Sequence, residues 1–504
     1  MWSGHSCPLP LTLIFNCQDH YGRGCPISRA FCEKWALTYT SMEGGSLPDS
    51  YSKPELLRVD DIPVASALES LTRAIVAVVK ECNENGTLAM RRIAYTLRPN
   101  FSLRYSVDPT IMNFGLEQAE EEAWDYENQS DFFKSRIQRL REFQTAESLI
   151  GQEPHHTQLL RNFAVTVAHA SLSAATPQIL MRHVETLLGD LQTRERSCKA
   201  TIWLTGVTLA SESISVSDDL VLRRPTRRDL QEKVTAESAH YAHAFQFPVS
   251  FSCIAELRLR YLYPVARQGS VEKLVLALRL FRVGAVASSM YAFEEESFDA
   301  LRNFRIGGPG RSGREAYELS PVDAPALADF LREITPLLPT QFDFPQPKPD
   351  FVSIALHWYG EALLAPLASE GSVASAIACL EALFLENVQV EMSYRLGMRV
   401  AGLMRCFGYP SLEVQAVVRN AYNVRSKYVH GDEQDKEWSP KKLLELSRSI
   451  LDYARLGLLT FCQLEGKPSR KQLMANVEKS LLDDESLAEL CGTCDQVKFC
   501  RKPA

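Results

Sequence analysis

The stretch PTQFDFPQPKPD, Pro339 to Asp350, places four prolines in twelve residues, and no other feature constrains the folding of this chain as firmly. Proline fixes φ and lacks an amide N–H, so such a run does not continue a helix or a central strand. It reads as a linker and as the sharpest domain boundary in the sequence. Beyond it the apolar residues recur at helical spacing. The pattern predicts helices over about 351–369, 373–405, 411–429 and 440–464, joined by short loops. Together they make an all-α bundle. A tail from Gly466 adds one short helix and the segment CGTCDQVKFC.

The chain before the linker is of another kind. Residues 1–50 are Cys- and Gly-rich with little periodicity and read as a disordered leader, with Met42 an alternative start. Helical spacing covers Ile62–Val79, Leu116–Leu149, and the stretches TQLLRNFAVTVAHASLSAA and QILMRHVETLLGDL. Near residue 200 the period changes. ATIWLTGVTLASESISVSDDLVLRRPT and QFPVSFSCIAELRLRYLY are rich in β-branched residues in partial alternation, which predicts strands. SVEKLVLALRLFRVGAV reads as a helix running into a strand. RIGGPGRSGREAY sets Gly308, Gly310 and Gly313 at dinucleotide-binding spacing, but Pro309 interrupts it and no buried strand precedes it, so it reads as a mobile loop. The expected fold class is α+β and multidomain: the leader over 1–50, a mixed α/β sensor or regulatory region over 51–340, the helical bundle over 350–465, and a Cys-containing tail over 466–504.

A formal charge of −7 and a pI near 5.9 provide no global basic field, so any nucleic-acid contact must come from a local cluster. No run of about 18 apolar residues is present to span a membrane. The opening CPLPLTLIF is short, holds two prolines and lacks a basic flank, which makes a poor signal peptide. The thirteen cysteines are scattered, and Cys379, Cys406 and Cys462 lie in apolar helical patterns. Free thiols in a reducing, cytoplasmic setting fit that distribution better than a disulfide framework, and the sequons at Asn85, Asn100 and Asn128 then carry no meaning. Phosphate-binding P-loop, HExxH and GxSxG motifs are absent, which removes the strongest sequence arguments for an NTPase, a zincin or a serine hydrolase. Cys491, Cys494 and Cys500 form C-x2-C-x5-C, but a structural zinc site wants four ligands and no fourth is in view. That segment reads as a mobile reducing tail. Cys25 and Cys32 lack zinc spacing, and the pairs His155/His156 and His240/His243 lack acids nearby and read as surface residues. No metal and no cofactor is assigned.

The helix from Ser411 carries the most pointed signal. Ser411 reads as its N-cap after Pro410, with Glu413 in the first turn. At 100° per residue, Val414, Val417, Val418, Ala421, Val424 and Tyr428 fall on one side, and Arg425 falls in the middle of that stripe. A guanidinium there needs an anionic partner or a solvated cleft. His430 lies about 140° away around a continuous helix, but Gly431 is a natural stop that can release it, letting the two side chains converge. In the preceding helix Glu381, Glu391, Arg395 and Arg399 share the face of Ile377 and Phe384. The plainer alternative is that Arg425 pairs with Glu381 or Glu391 and that His430 caps its helix.

RSKYVHG, with Arg425 and His430 four residues apart, resembles the R-x4-6-H signature of HEPN domains. CLEALFLENVQVEMSYRLGMRVAGLM followed by YNVRSKYVHG is similar in particular to the Apea-like HEPN subfamily, over about residues 350–460. The resemblance implies a four- or five-helix bundle that forms a homodimer, placing two Arg/His pairs in one cleft. Many HEPN proteins are metal-independent endoribonucleases of toxin–antitoxin, phage-defence or RNA-processing systems. In that chemistry the ribose 2′-OH attacks the adjacent phosphate, leaving 2′,3′-cyclic phosphate and 5′-OH ends. His430 would be the general acid or base and Arg425 would hold the phosphate. Asn420, Tyr422, Ser426, Lys427, Arg395 and Arg399 are the expected substrate-binding residues, with Arg405 and Arg419 adding charge to the same cleft. Active members often carry Asn, Asp or His after the arginine, where this chain has Ser426. The first expectation is therefore an RNase effector restrained by a ligand or protein at the N-terminal region. The second is a non-catalytic HEPN adaptor binding a nucleotide, RNA or protein. An in-chain carboxylate on Arg425 favours the adaptor; an open cleft shared with His430 favours the nuclease.

Overall fold

A computed structural model of the chain describes residues 62–87, 90–99, 114–124, 132–150, 154–172, 176–192, 195–226, 228–229, 251–262, 268–295, 298, 304–306, 316–339, 350–366, 368–386, 390–432, 438–464 and 468–501. The leader over 1–50, the glycine-rich segment, the prolines at 345–349, Cys25, Cys32, His240, His243, Asn100, Asn128 and the side chain of His155 lie outside the described residues.

Helix α1, Ile62–Glu84, buries Leu68, Leu71, Ile75 and Val79 against α2, Arg141–Ile150, α3, Pro154–Leu172, and α4, Pro177–Gln192. The expected helix over Leu116–Leu149 is overturned in its first third. Strand β2, Phe114–Trp124, pairs antiparallel with β1, Met90–Pro99, and Arg92 is in register with Glu122. Backbone pairing with β1 overrides the helix propensity of its Glu and Ala residues. A single π-helical turn, Phe133–Ile137, precedes α2. His156 is no surface residue either: it is buried, with Nδ1 3.1 Å from the Ile150 carbonyl.

The change of period near residue 200 opens a sheet. Strands β3 (Glu195–Thr205), β5 (Ser213–Ser217), β6 (Leu220–Arg223), β7 (Cys253–Leu262), β8 (Ala287–Glu295) and β9 (Phe304–Ile306) form it in the order β5-β6-β7-β3-β8-β9, antiparallel throughout. Strand β4, Val207–Leu209, pairs in parallel with β10, Tyr317–Leu319. Alternation sends Ala200, Ile202, Leu204, Cys253 and Ala255 to one face, where they meet Val271, Leu274 and Leu278 of α5, Gln268–Phe281, and Leu327 of α6, Ala324–Ile334. The other face holds a closed charge network. Arg223 bonds both Asp229 oxygens at 2.7 Å and Glu256 at 2.7 Å, and Lys199 meets Glu256 at 2.7 Å.

The C-terminal bundle comprises α7 (Phe351–Leu364), α8 (Glu370–Phe384), α9 (Met392–Cys406), α10 (Ser411–His430) and α11 (Pro440–Leu464). Its core continues into the middle region: Ala277 and Leu280 of α5 and Phe330 and Ile334 of α6 are buried with Leu356, Tyr359, Leu380 and Leu456. The Tyr359 hydroxyl donates to the Arg279 carbonyl at 3.2 Å across that seam, and Arg455 Nη1 donates to the Leu280 carbonyl at 3.3 Å.

The bundle corrects three local expectations. The single helix over 373–405 is two helices. Chain direction changes between Phe384 and Met392, and α9 starts from Glu391 in the left-handed region at φ 54°. The open end of α8 is satisfied from outside, because Arg470 Nε donates to the Leu383 carbonyl at 3.0 Å and Arg399 Nη1 to the Phe384 carbonyl at 2.5 Å. Second, Pro410 is the N-cap of α10 and Ser411 is already helical, without a side-chain capping bond. Third, the tail is not a mobile appendage. It forms two helices, α12 (Arg470–Lys479) and α13 (Asp484–Cys494), and Leu473, Val477, Leu490, Cys494 and Cys500 are buried in the bundle core.

Candidate functional site

Helix α10 carries the site. Val414, Val418, Ala421 and Val424 are buried, so the apolar stripe is real, but Tyr428 at its end is exposed. Arg425 projects from the stripe toward α8, where its Nη2 donates to Glu381 Oε2 at 3.3 Å. Its Cζ stands 5.8 Å from the centre of the Tyr422 ring, within cation–π range. The Arg425 side chain keeps 27% of its exposure and that of Glu381 keeps 16%.

The electrostatics of this cluster are set by burial. Desolvation raises the Glu381 carboxyl above its ordinary range, opposed by the Arg425 charge and a hydrogen bond from Tyr422. Desolvation also raises the Tyr422 phenol, reinforced by the Glu381 charge. Glu381 Oε1 is buried without a hydrogen-bond partner among the described residues. Glu381 is thus the in-chain answer to Arg425, whereas the other carboxylate of the two, Glu391, is exposed and faces Arg395.

His430 is not brought to this cluster. Helix α10 runs unbroken through it, and the left-handed turn comes one residue later at Gly431, φ 73°, where the Asp432 N–H returns to the Lys427 carbonyl at 2.9 Å. The expectation that Gly431 frees His430 is therefore overturned. Within one chain His430 stays about 140° around the axis from Arg425 and about 7.5 Å along it, exposed to solvent.

The expected substrate-binding residues separate into three groups. Tyr422 packs beneath Arg425 and against the bundle core. Asn420 and Arg419 are exposed on the far face of α10, while Ser426 and Lys427 flank Arg425 half-buried. Arg395 makes a long 3.9 Å contact with Glu391 on the surface. Arg399 is spoken for. It is buried, its Nε and Nη2 donate to Glu478 Oε1 at 3.0 and 2.8 Å, and its third bond closes the end of α8. It holds the tail. Glu478 and Arg470 were not legible as partners, because both lie across more than seventy residues of chain from what they touch.

Among the described residues no group of three or more His, Cys, Asp or Glu is arranged to hold a metal ion, and no helix is long and apolar enough to cross a membrane. Comparison of the chain with family models, with curated proteins and with solved structures finds no match.

Proposed function

We propose that the C-terminal bundle is a HEPN-like adaptor, a non-catalytic module that docks a partner protein. The observation that carries this reading is the engagement of Arg425 by Glu381 within the same chain, with His430 turned away on the same helix. A phosphate-binding arginine is useful when its fork is open to the substrate, and this one is partly occupied. Charge points away from RNA as the partner. Residues 351–464 hold 11 Lys and Arg against 12 Asp and Glu, and Arg399 and Arg425 are both engaged inside the chain. Apolar exposure points to protein. Helices α9 and α10 form a hairpin across the short turn at 407–410, so the start of one lies beside the end of the other. That end presents Val390, Tyr394, Tyr428 and Val429, each more than half exposed.

A second reading is favoured by one specific feature. The Arg425–Glu381 contact is single and long, and Arg425 retains a quarter of its surface. In this reading the bundle is a metal-independent endoribonuclease whose site is completed in a homodimer by His430 of a second copy. One experiment separates the two. Purified protein is incubated with total RNA and tRNA in EDTA, alongside Arg425→Ala and His430→Ala. The adaptor reading expects intact RNA in all three, and retention of a partner that is lost on Tyr394→Ser with Val429→Ser. Cleavage by the wild type alone, with 2′,3′-cyclic phosphate ends, overturns it in favour of the nuclease.

A further inference from the structure

The tail helices grip one face of α9. Arg399 meets Glu478, Gly402 faces Val477 so closely that an added Cβ would stand 2.8 Å from its Cγ1, and Cys406 meets the thiols of α13. Positions 399, 402 and 406 follow the i, i+3, i+7 spacing of a single helical stripe. The last contact is chemically unlike the other two. Cys491 Sγ donates to Cys406 Sγ at 2.8 Å, and Cys494 is hydrogen-bonded to the same Cys406. Three thiols from two helices therefore converge, although Cys491 lies 85 positions after Cys406.

Two chemistries compete for such a trio. Thiolates bound to one tetrahedral zinc sit about 2.3 Å from the metal, which places them more than about 3.5 Å from each other. The Cys406–Cys491 approach is much closer than that, and no metal-holding group is present among the described residues. A disulfide needs sulfurs about 2.05 Å apart, and the 2.8 Å approach lies nearer to that than to the zinc spacing. Cys491 and Cys494 are poor partners for each other, because Cβ atoms at i and i+3 of a helix are about 5–6 Å apart and a disulfide wants about 3.8 Å. Both must look to Cys406. Cys491 is the accessible one of the pair, whereas Cys494 is buried.

We propose that Cys406 and Cys491 are a redox modification site, forming a reversible disulfide that covalently ties the tail helix α13 to α9. A small-molecule disulfide R–S–S–R is the oxidant. The Cys491 thiolate attacks one of its sulfurs and expels RS⁻, giving a Cys491–S–S–R mixed disulfide. The Cys406 thiolate then attacks the Cys491 sulfur and expels the second RS⁻. The protein loses two protons and two electrons, and the oxidant becomes two RSH. Burial holds the Cys491 thiol up at about 12, and Cys406 is raised as well, by its bond with Cys494 and by burial. Thiolate is the attacking species, so formation is slow at neutral pH and accelerates about tenfold per pH unit.

The test uses the full chain with oxidised glutathione at about pH 7 and about pH 9, followed by alkylation, tryptic digestion and mass spectrometry. Trypsin releases Cys406 in the peptide Cys406–Arg419 and both tail cysteines in Ser480–Lys498. The expected product is these two peptides joined, with fragment ions placing the bond at Cys491. It forms about a hundredfold faster at the higher pH and is undone by dithiothreitol. In Cys406→Ser, which keeps the shape of the site, Cys491 stops at the glutathione adduct. Full alkylation of Cys406 after oxidation at both pH values, in protein whose circular dichroism is unchanged, overturns the proposal. So does a bond from Cys406 to Cys494 alone, or one between chains.

Discussion

Removal of Arg425 is the perturbation whose energy bears most directly on what the bundle does. Unit charges 3.3 Å apart attract by about 5 kcal/mol at an effective dielectric of about 20. Desolvation, side-chain ordering and the residual exposure of Arg425 offset more than half of that, leaving a net coupling of about 1–2 kcal/mol. Arg425→Ala should therefore lower stability by about 1–2 kcal/mol at neutral pH, since it strands a carboxylate that burial already disfavours. The loss should shrink toward pH 5. Without Arg425 the folded carboxyl rises further above its unfolded value, so the folded state binds the extra proton and gains stability as pH falls. The assay is urea unfolding followed by circular dichroism, as a double-mutant cycle with Glu381→Gln. The two single changes should cost more in sum than the double one. Additivity within about 0.3 kcal/mol would refute the reasoning and leave Arg425 available to a ligand.

Arg399→Ala should cost about 2–3 kcal/mol, because it leaves the Phe384 carbonyl without its donor and unties Glu478; Arg399→Lys should rescue little, as one ammonium cannot reach both, and urea midpoints would show it. Gly402→Val should push Val477 away from α9 and expose the tail to limited proteolysis at Arg470 and Lys479, while leaving the far-ultraviolet spectrum nearly unchanged. His169 and His183 are both held below their ordinary range by burial, so the unfolded chain binds more protons below about pH 6.5. The urea midpoint should accordingly fall as pH drops from about 7 to about 5, and fall less in His169→Gln. Oxidation of Cys406 and Cys491 closes a loop of 85 residues, which should raise stability by about 4.5 kcal/mol and be read as a shifted urea midpoint.

Periodicity made the bundle legible and left its connections hidden. Helices α10 and α11 lie within a residue of their expected bounds, because long amphipathic stripes and a stop at Gly431 are local signals. The break between α8 and α9 was not readable. What ends α8 is a pair of arginines arriving from elsewhere, and the residues between Phe384 and Met392 contain neither glycine nor proline to announce it. Strand β2 was misread for a related reason, since its Glu- and Ala-rich stretch is strand only by virtue of its partner β1. The site divides the same way. That Arg425 sits on a buried face follows from 100° per residue; that Glu381 answers it was one of two candidates and needed the packing of α8 on α10 to decide. The trio around Cys406 was out of reach, because a C-x2-C pair shows only the two cysteines that are close in sequence.

The coupling between Arg425 and Glu381 also sets how far apart the two functional readings stand. A guanidinium held by about 1.4 kcal/mol is released in about one molecule in ten. A phosphate offers it a bidentate partner of higher charge than a single long carboxylate contact, so release at that level would not prevent RNA binding. Glu381 then raises the threshold for substrate instead of abolishing the site, and a second copy supplying His430 could still complete it. At about 3 kcal/mol or more the open form falls below one molecule in a hundred, and a substrate would have to overcome that cost before gaining anything from the fork. The double-mutant cycle therefore does more than weigh an ion pair. A coupling of about 1–2 kcal/mol keeps the nuclease reading alive for the dimer. One of about 3 kcal/mol or more makes Arg425 part of the packing between α8 and α10, and the exposed end of the hairpin becomes the surface on which the bundle acts.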